Sequence, residues 1–151
     1  MFESFRHFVS ELAGGDKRHF EENDYRLAAA ALLVHAATID GDVSPVEHAK
    51  LHAVVKRCFE LDDAAADMLV ADATAAEQES VDLYRFTSLL NRTLDEAGRQ
   101  RIIEMMWQVV FADQKVSEFE DNLIWRAADL LGVSAQARIE LRRRAAGDGN
   151  V

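Results

Sequence analysis

The chain has 151 residues, 49% of them apolar, and a net charge of −10. Its length is that of one domain, which can bury a core without the help of a disulfide or a metal. The negative charge argues against nucleic-acid binding, because phosphate backbones repel such a chain. The single cysteine excludes an internal disulfide framework and suits the cytoplasm, and the longest apolar run, residues 27–39, is shorter than the roughly 18–20 residues of a transmembrane segment.

Residues 1–15 are predicted to form an N-terminal amphipathic helix over 2–12, followed by a hinge at Gly14–Gly15. Three phenylalanines lie on one stripe of this helix. A helix this short is unstable alone in water, so we expect it to dock, either on its own bundle or on a partner protein. A polar loop then leads to the main domain, residues 24–146.

Seven more helices are predicted in residues 24–146 from apolar side chains at three- and four-residue steps. Two of them, over 24–39 and 96–112, are apolar nearly all round, which predicts that they are central and buried. Residues 147–151 are expected to be a disordered tail. The predicted fold is therefore all-α, a compact bundle of seven or eight helices. The other predicted helices span about 45–60, 63–76, 81–94, 118–131 and 135–146, with Asp62, Ser80 and Ser134 as N-caps and Gly132 as a stop.

An eight-residue phrase occurs twice, at 40–47 and 113–120, with Asp, Val, Ser and Glu repeating at the same four places. Each copy follows an apolar helix and precedes an amphipathic one. The pattern indicates a duplicated helix-turn-helix unit. The helices over 24–39, 45–60 and 63–76 correspond to those over 96–112, 118–131 and 135–146.

Capping explains both phrases without a ligand, and we favour that interpretation. Ser44 and Ser117 are predicted N-caps, and Glu47 and Glu120 stand three residues later, as a capping box requires. Helical periodicity also turns both glutamates toward the core, where a carboxylate needs a partner: capping amides, a basic side chain of the other repeat, or a metal.

A cation site is the alternative interpretation of the junctions. Asp40, Asp42 and Ser44 are spaced like oxygen ligands at alternate positions of a calcium loop. Pro45 and Leu51 occupy the places where an EF-hand needs glycine and glutamate, so the phrase is not an EF-hand. Lys115 weakens the second copy by adding a positive charge. The residues of this alternative site are Asp40, Asp42 and Glu47 at the first junction and Asp113 and Glu120 at the second.

Isolated histidines offer weaker signals. His48 and His52 are four apart and could hold zinc, with Asp42 as a third ligand, although exposed flank positions are favoured. His35, which aligns with Gln108, is predicted to be a hydrogen-bonded core histidine.

The remaining reactive or charged side chains point to packing and solvation. Cys58 is predicted to pack in the core. The only basic cluster is interpreted as solvated and as complementing the dipole at the end of the last helix; it comprises Arg138, Arg142, Arg143 and Arg144. No catalytic motif is present, so we predict no enzymatic activity.

The segments 39–47 and 112–120, together with the tail 124–133, resemble the tellurite-resistance protein B (TerB-like) family. The resemblance implies a bacterial, all-α, acidic protein of tellurite or stress-response systems, often near membrane proteins, with no established catalysis. It implies metal binding by Asp40, Glu47, Asp113 and Glu120. The second junction departs from the family pattern at Gln114 and Lys115, which argues against metal binding there. We therefore expect a non-enzymatic interaction or sensor protein with a protein partner, and, as the alternative, a divalent-cation-binding module.

Overall fold

The computed structural model of the protein describes residues 20–21, 23–39, 45–79, 83–113 and 116–149. Within these ranges the secondary structure is entirely helical, which confirms the predicted all-α bundle. The predicted helix over 2–12 and its hinge lie outside the described residues. The helices are α1 Tyr25–Thr38, α2 Pro45–Cys58, α3 Asp63–Glu79, α4 Tyr84–Thr93, α5 Glu96–Val110, a 3-10 helix Phe111–Asp113, α6 Glu118–Leu130 and α7 Ala135–Gly149.

Side-chain caps fix where most of these helices begin. The Asp62 carboxylate accepts a hydrogen bond from the Ala65 amide at 2.7 Å, and the Ser134 hydroxyl accepts one from the Ala137 amide at 3.1 Å. These two bonds confirm the predicted caps of α3 and α7, because each satisfies an amide that has no partner within its own helix. Two caps not predicted from the sequence are Asp24 on α1 and Asp95 on α5.

α1 and α5 form the centre of the bundle, as their apolar sequences predict. Ten of the fourteen residues of α1 are buried, and Trp107 of α5 has no exposed surface. α1 contacts α5 directly, and its largest contact is with α3, while the largest contact of α5 is with α7. The two halves thus use the same pairing of first and third helices, and their superposition stays a prediction.

Several boundaries differ from the predictions. α2 ends at Cys58 rather than at 60, and α3 continues to Glu79 rather than ending at 76. α4 begins at Tyr84 rather than at 81, with Leu83 at its N-cap and no side-chain cap bond; Ser80, the predicted cap, lies outside the described residues. α5 ends at Val110 and its last predicted turn is a 3-10 helix. α7 continues to Gly149, three residues into the stretch expected to be a disordered tail.

No helix among the described residues is both long enough and apolar enough to cross a membrane.

Candidate functional site at the helix junctions

The second junction is a complete capping box. The Ser117 hydroxyl accepts a hydrogen bond from the Glu120 amide at 3.1 Å, and Glu120 Oε1 accepts one from the Ser117 amide at 3.0 Å. Ser117 has an extended backbone, which is the usual conformation of an N-cap. Glu120 is only 2% exposed. The box predicted from the sequence is therefore confirmed at this junction, and it places a carboxylate in the protein interior.

The first junction presents a matching carboxylate. Glu47 lies in the first turn of α2, at the position that corresponds to Glu120 in α6, and it is 4% exposed. Both glutamates therefore face the core, as helical periodicity predicts. The residues expected to complete this junction, Asp40, Asp42 and Ser44, lie outside the described residues, so the cap by Ser44 stays a prediction.

The donor chemistry of the junctions suits a hard cation, because Ca²⁺ and Mg²⁺ prefer carboxylate oxygens. Asp113 ends the 3-10 helix that leads toward α6, and Glu120 Oε1 is engaged with the Ser117 amide. In the part of the chain that the structure describes, no three His, Cys, Asp or Glu side chains are grouped so that they could hold a metal ion. Since Asp40 and Asp42 are not in that part, the cation site also stays a prediction.

The histidines form links between helices. His35 Nδ1 on α1 lies 2.8 Å from Glu77 Oε1 on α3, and His52 Nε2 on α2 lies 2.9 Å from Asp67 Oδ1 on α3. His35 is hydrogen-bonded as predicted, but it is half-buried rather than in the core. His48 is exposed. Asp67 thus occupies one of the two nitrogens of His52, and both bonded histidines link their helices to α3.

Two further contacts join α2 to α5. Arg57 Nη2 donates to Gln108 Oε1 at 2.9 Å, so the buried Gln108 is satisfied from the other half of the molecule. Arg101 Nη2 lies 3.7 Å from Cys58 Sγ. Cys58 is half-buried and packs against the core, which is close to the predicted role.

Arg142, Arg143 and Arg144 are exposed, as the sequence predicts, but Arg138 differs from its interpretation as a solvated side chain at a helix end. Arg138 lies in the first turns of α7, is 7% exposed, and stacks 3.2 Å from the centroid of the Trp125 ring. Arg142 lies over the rings of Trp107 and Phe111, at 5.2 and 5.5 Å. α7 continues to Gly149, so the helix dipole cannot explain Arg138.

The other two arginines of the cluster are paired with acids. Arg143 contacts Glu140 at 2.7 Å, and Arg144 contacts Glu104 of α5 at 3.0 Å. All four arginines thus have aromatic or acidic neighbours in their own chain. Arg138, Arg142 and Arg144 link α7 to other helices, whereas Arg143 is paired within α7.

A signal for the Trp125–Arg138 contact is present in the sequence. Trp125 stands six residues before Leu131 and Arg138 six residues after Gly132, so an antiparallel hairpin that turns at Leu131–Gly132 places them opposite each other. Using this signal requires knowing that the side chains of Trp125 and Arg138 meet across the turn, which periodicity within one helix does not reveal.

The comparisons with known proteins agree with the fold. The family model described as tellurite resistance protein TerB matches residues 26–143, which extend from the first turn of α1 into α7 and include both junctions. The comparisons with curated proteins and with solved structures gave no match.

Proposed function

The chain belongs to the tellurite resistance protein TerB family, and we propose that it is a non-enzymatic, cytoplasmic interaction or sensor protein of stress or tellurite-resistance systems. The observation that carries this proposal is that polar side chains near the core are bonded to other parts of the fold. Glu120 closes a capping box, His35 and His52 link helices to α3, and Gln108 joins the two halves. A side chain that holds two helices together is engaged in structure, which supports a role in binding rather than catalysis.

The acidic surface supports a protein partner with a basic face. α3 carries five acidic and no basic residues, and the side chains of Asp63 and Asp67 are 74% and 73% exposed. Asp63 contacts Lys56 and Asp67 contacts His52, but both carboxylates remain mostly open to solvent. An exposed acidic surface steers basic partners and makes association sensitive to salt. We therefore propose that α3 contributes to the binding surface.

Affinity capture with matched charge variants tests this proposal. The tagged protein is compared with Asp63→Asn/Asp67→Asn on α3 and with Glu118→Gln/Asp129→Asn on α6, a control that removes the same charge from another exposed face. We expect one partner to be recovered specifically by the unmodified protein and by the control, in a salt-sensitive manner, and to be lost from the α3 variant. Equal recovery by all three proteins would contradict the role of α3.

A divalent-cation-binding module is the second candidate function, and the buried carboxylates favour it. Glu47 and Glu120 occupy corresponding places at the starts of α2 and α6, each almost fully removed from solvent. A cation bound by oxygen ligands at these junctions would change their charge and thereby the partner that the surface accepts. The residues proposed to bind it are Asp40, Asp42 and Glu47 at the first junction and Asp113 and Glu120 at the second.

Calorimetric titration with Ca²⁺, Mg²⁺ and Zn²⁺ separates the two candidates. If the first junction binds a cation, the heat of binding should disappear in Asp40→Asn/Asp42→Asn. It should persist in Asp62→Asn/Asp63→Asn, a control in which the asparagine amide oxygen at position 62 can still cap α3. Heat that survives the first pair of substitutions would place the cation elsewhere, and the absence of heat in the unmodified protein would reject the cation module. The titration leaves the protein-partner proposal untested. That proposal is tested by affinity capture, which is carried out with and without each cation.

A further inference from the structure

We draw no further inference here: the strongest candidate, the exposed apolar side chains of Trp125 and Ile139 on the surface of α6 and α7, carries nothing because nothing in the structure shows what covers them.

Discussion

The first half of the molecule, α1–α3, and the second half, α5–α7, end their middle helices with the same backbone turn but with different residues. The Leu61 amide donates to the Lys56 carbonyl, and the Val133 amide donates to the Ala128 carbonyl, each bond reaching back five residues. Both turns need a residue in the left-handed region, which is Glu60 (φ 54°) in the first half and Gly132 (φ 70°) in the second. The hydrogen bonds therefore define the turn, and the first half tolerates a side chain that strains it.

The side-chain contacts across the last turn of each half differ in chemistry. In the first half, α2 and α3 are joined by His52 and Asp67, which are seven residues from a turn at Phe59–Glu60. In the second half, Trp125 and Arg138 occupy the corresponding place between α6 and α7. The buried Arg138 stacks on the ring of Trp125, which is itself 47% exposed. Exposed ion pairs contribute little to stability, whereas a cation–π stack whose cation is buried contributes more. The comparison predicts that the second half is the more sensitive to substitution.

The largest expected difference between the halves is at the centre of the bundle. Trp107 has no exposed surface and stacks on Phe111 at 5.6 Å, while the corresponding residue of α1 is the smaller Val34. Trp107→Ala should lower the free energy of unfolding by about 3–5 kcal/mol, and Val34→Ala by roughly 1.5–2 kcal/mol. Denaturant unfolding of the two variants measures this, and equal losses would contradict a greater dependence on the second half.

The hairpin contacts should show the next largest difference. Arg138→Ala should cost about 1–3 kcal/mol, because it removes both the stack on Trp125 and the packing of the arginine stem. Asp67→Ala should cost about 0–1 kcal/mol, since that carboxylate is mostly exposed. Repeating the unfolding in 1 M NaCl provides the control: salt should remove the effect of the Asp67 change and preserve that of Arg138. Two effects that decline equally with salt would show that both contacts are electrostatic.

The two turns should respond with opposite signs. Gly132→Ala should destabilise by about 1–2 kcal/mol, entirely through backbone strain, because a Cβ atom added there meets nothing within 4 Å. Glu60→Gly should relieve the same strain and stabilise by about 0.5–1 kcal/mol, net of the greater freedom of glycine in the unfolded chain. Thermal and denaturant unfolding measure both. A Glu60→Gly variant less stable than the parent would mean that the Glu60 side chain makes contacts worth more than the strain.

The smallest effect concerns pH at the start of α1. Burial tends to raise the pKa of Asp24, but hydrogen bonds from Arg26 and its positive charge outweigh burial, so that this pKa lies below its ordinary value of 3.8. A carboxyl whose pKa is lower in the folded state stabilises the protein at neutral pH, and that contribution is lost as the pH falls below about 4 toward the folded value. Asp24 is half-buried and its partner Arg26 is partly exposed, so solvent screens the pair and we expect less than about 0.5 kcal/mol.

Asp24→Asn isolates this charge, because an asparagine side chain can still cap α1. The variant should be slightly less stable than the parent at pH 7 and equal to it at pH 2, as measured by urea unfolding across that range. Arg26→Gln should reduce the difference at pH 7, because it removes the partner. A difference that persists unchanged at pH 2 would assign the effect to capping instead of charge.

Local interactions made much of the fold predictable. The caps at Asp62, Ser117 and Ser134 and the stop at Gly132 depend on residues within a few positions of each other, so the sequence reveals them directly. The inward direction of Glu47 and Glu120 follows from helical periodicity and the position of each box.

Most of the features that the sequence analysis missed depend on how separate helices pack against each other. The burial of Arg138 depends on its contact with Trp125 across the turn between α6 and α7, and the contact between His52 and Asp67 depends on the packing of α2 against α3. The left-handed turn at Glu60 was missed because glutamate carries none of glycine's preference for that conformation. The first junction, on which the cation alternative depends, lies outside the described residues.

The burial of α1 has a consequence for exchange of its amide hydrogens with solvent. Its side chains from Leu27 to Leu33 are covered in an unbroken run by the surrounding helices, so no single neighbour can move away and expose the whole helix. Amides in such an element exchange mainly through unfolding of the entire domain. We therefore expect α1 to report the global free energy of unfolding in native-state hydrogen exchange, and the half-exposed α4 to exchange sooner through smaller openings.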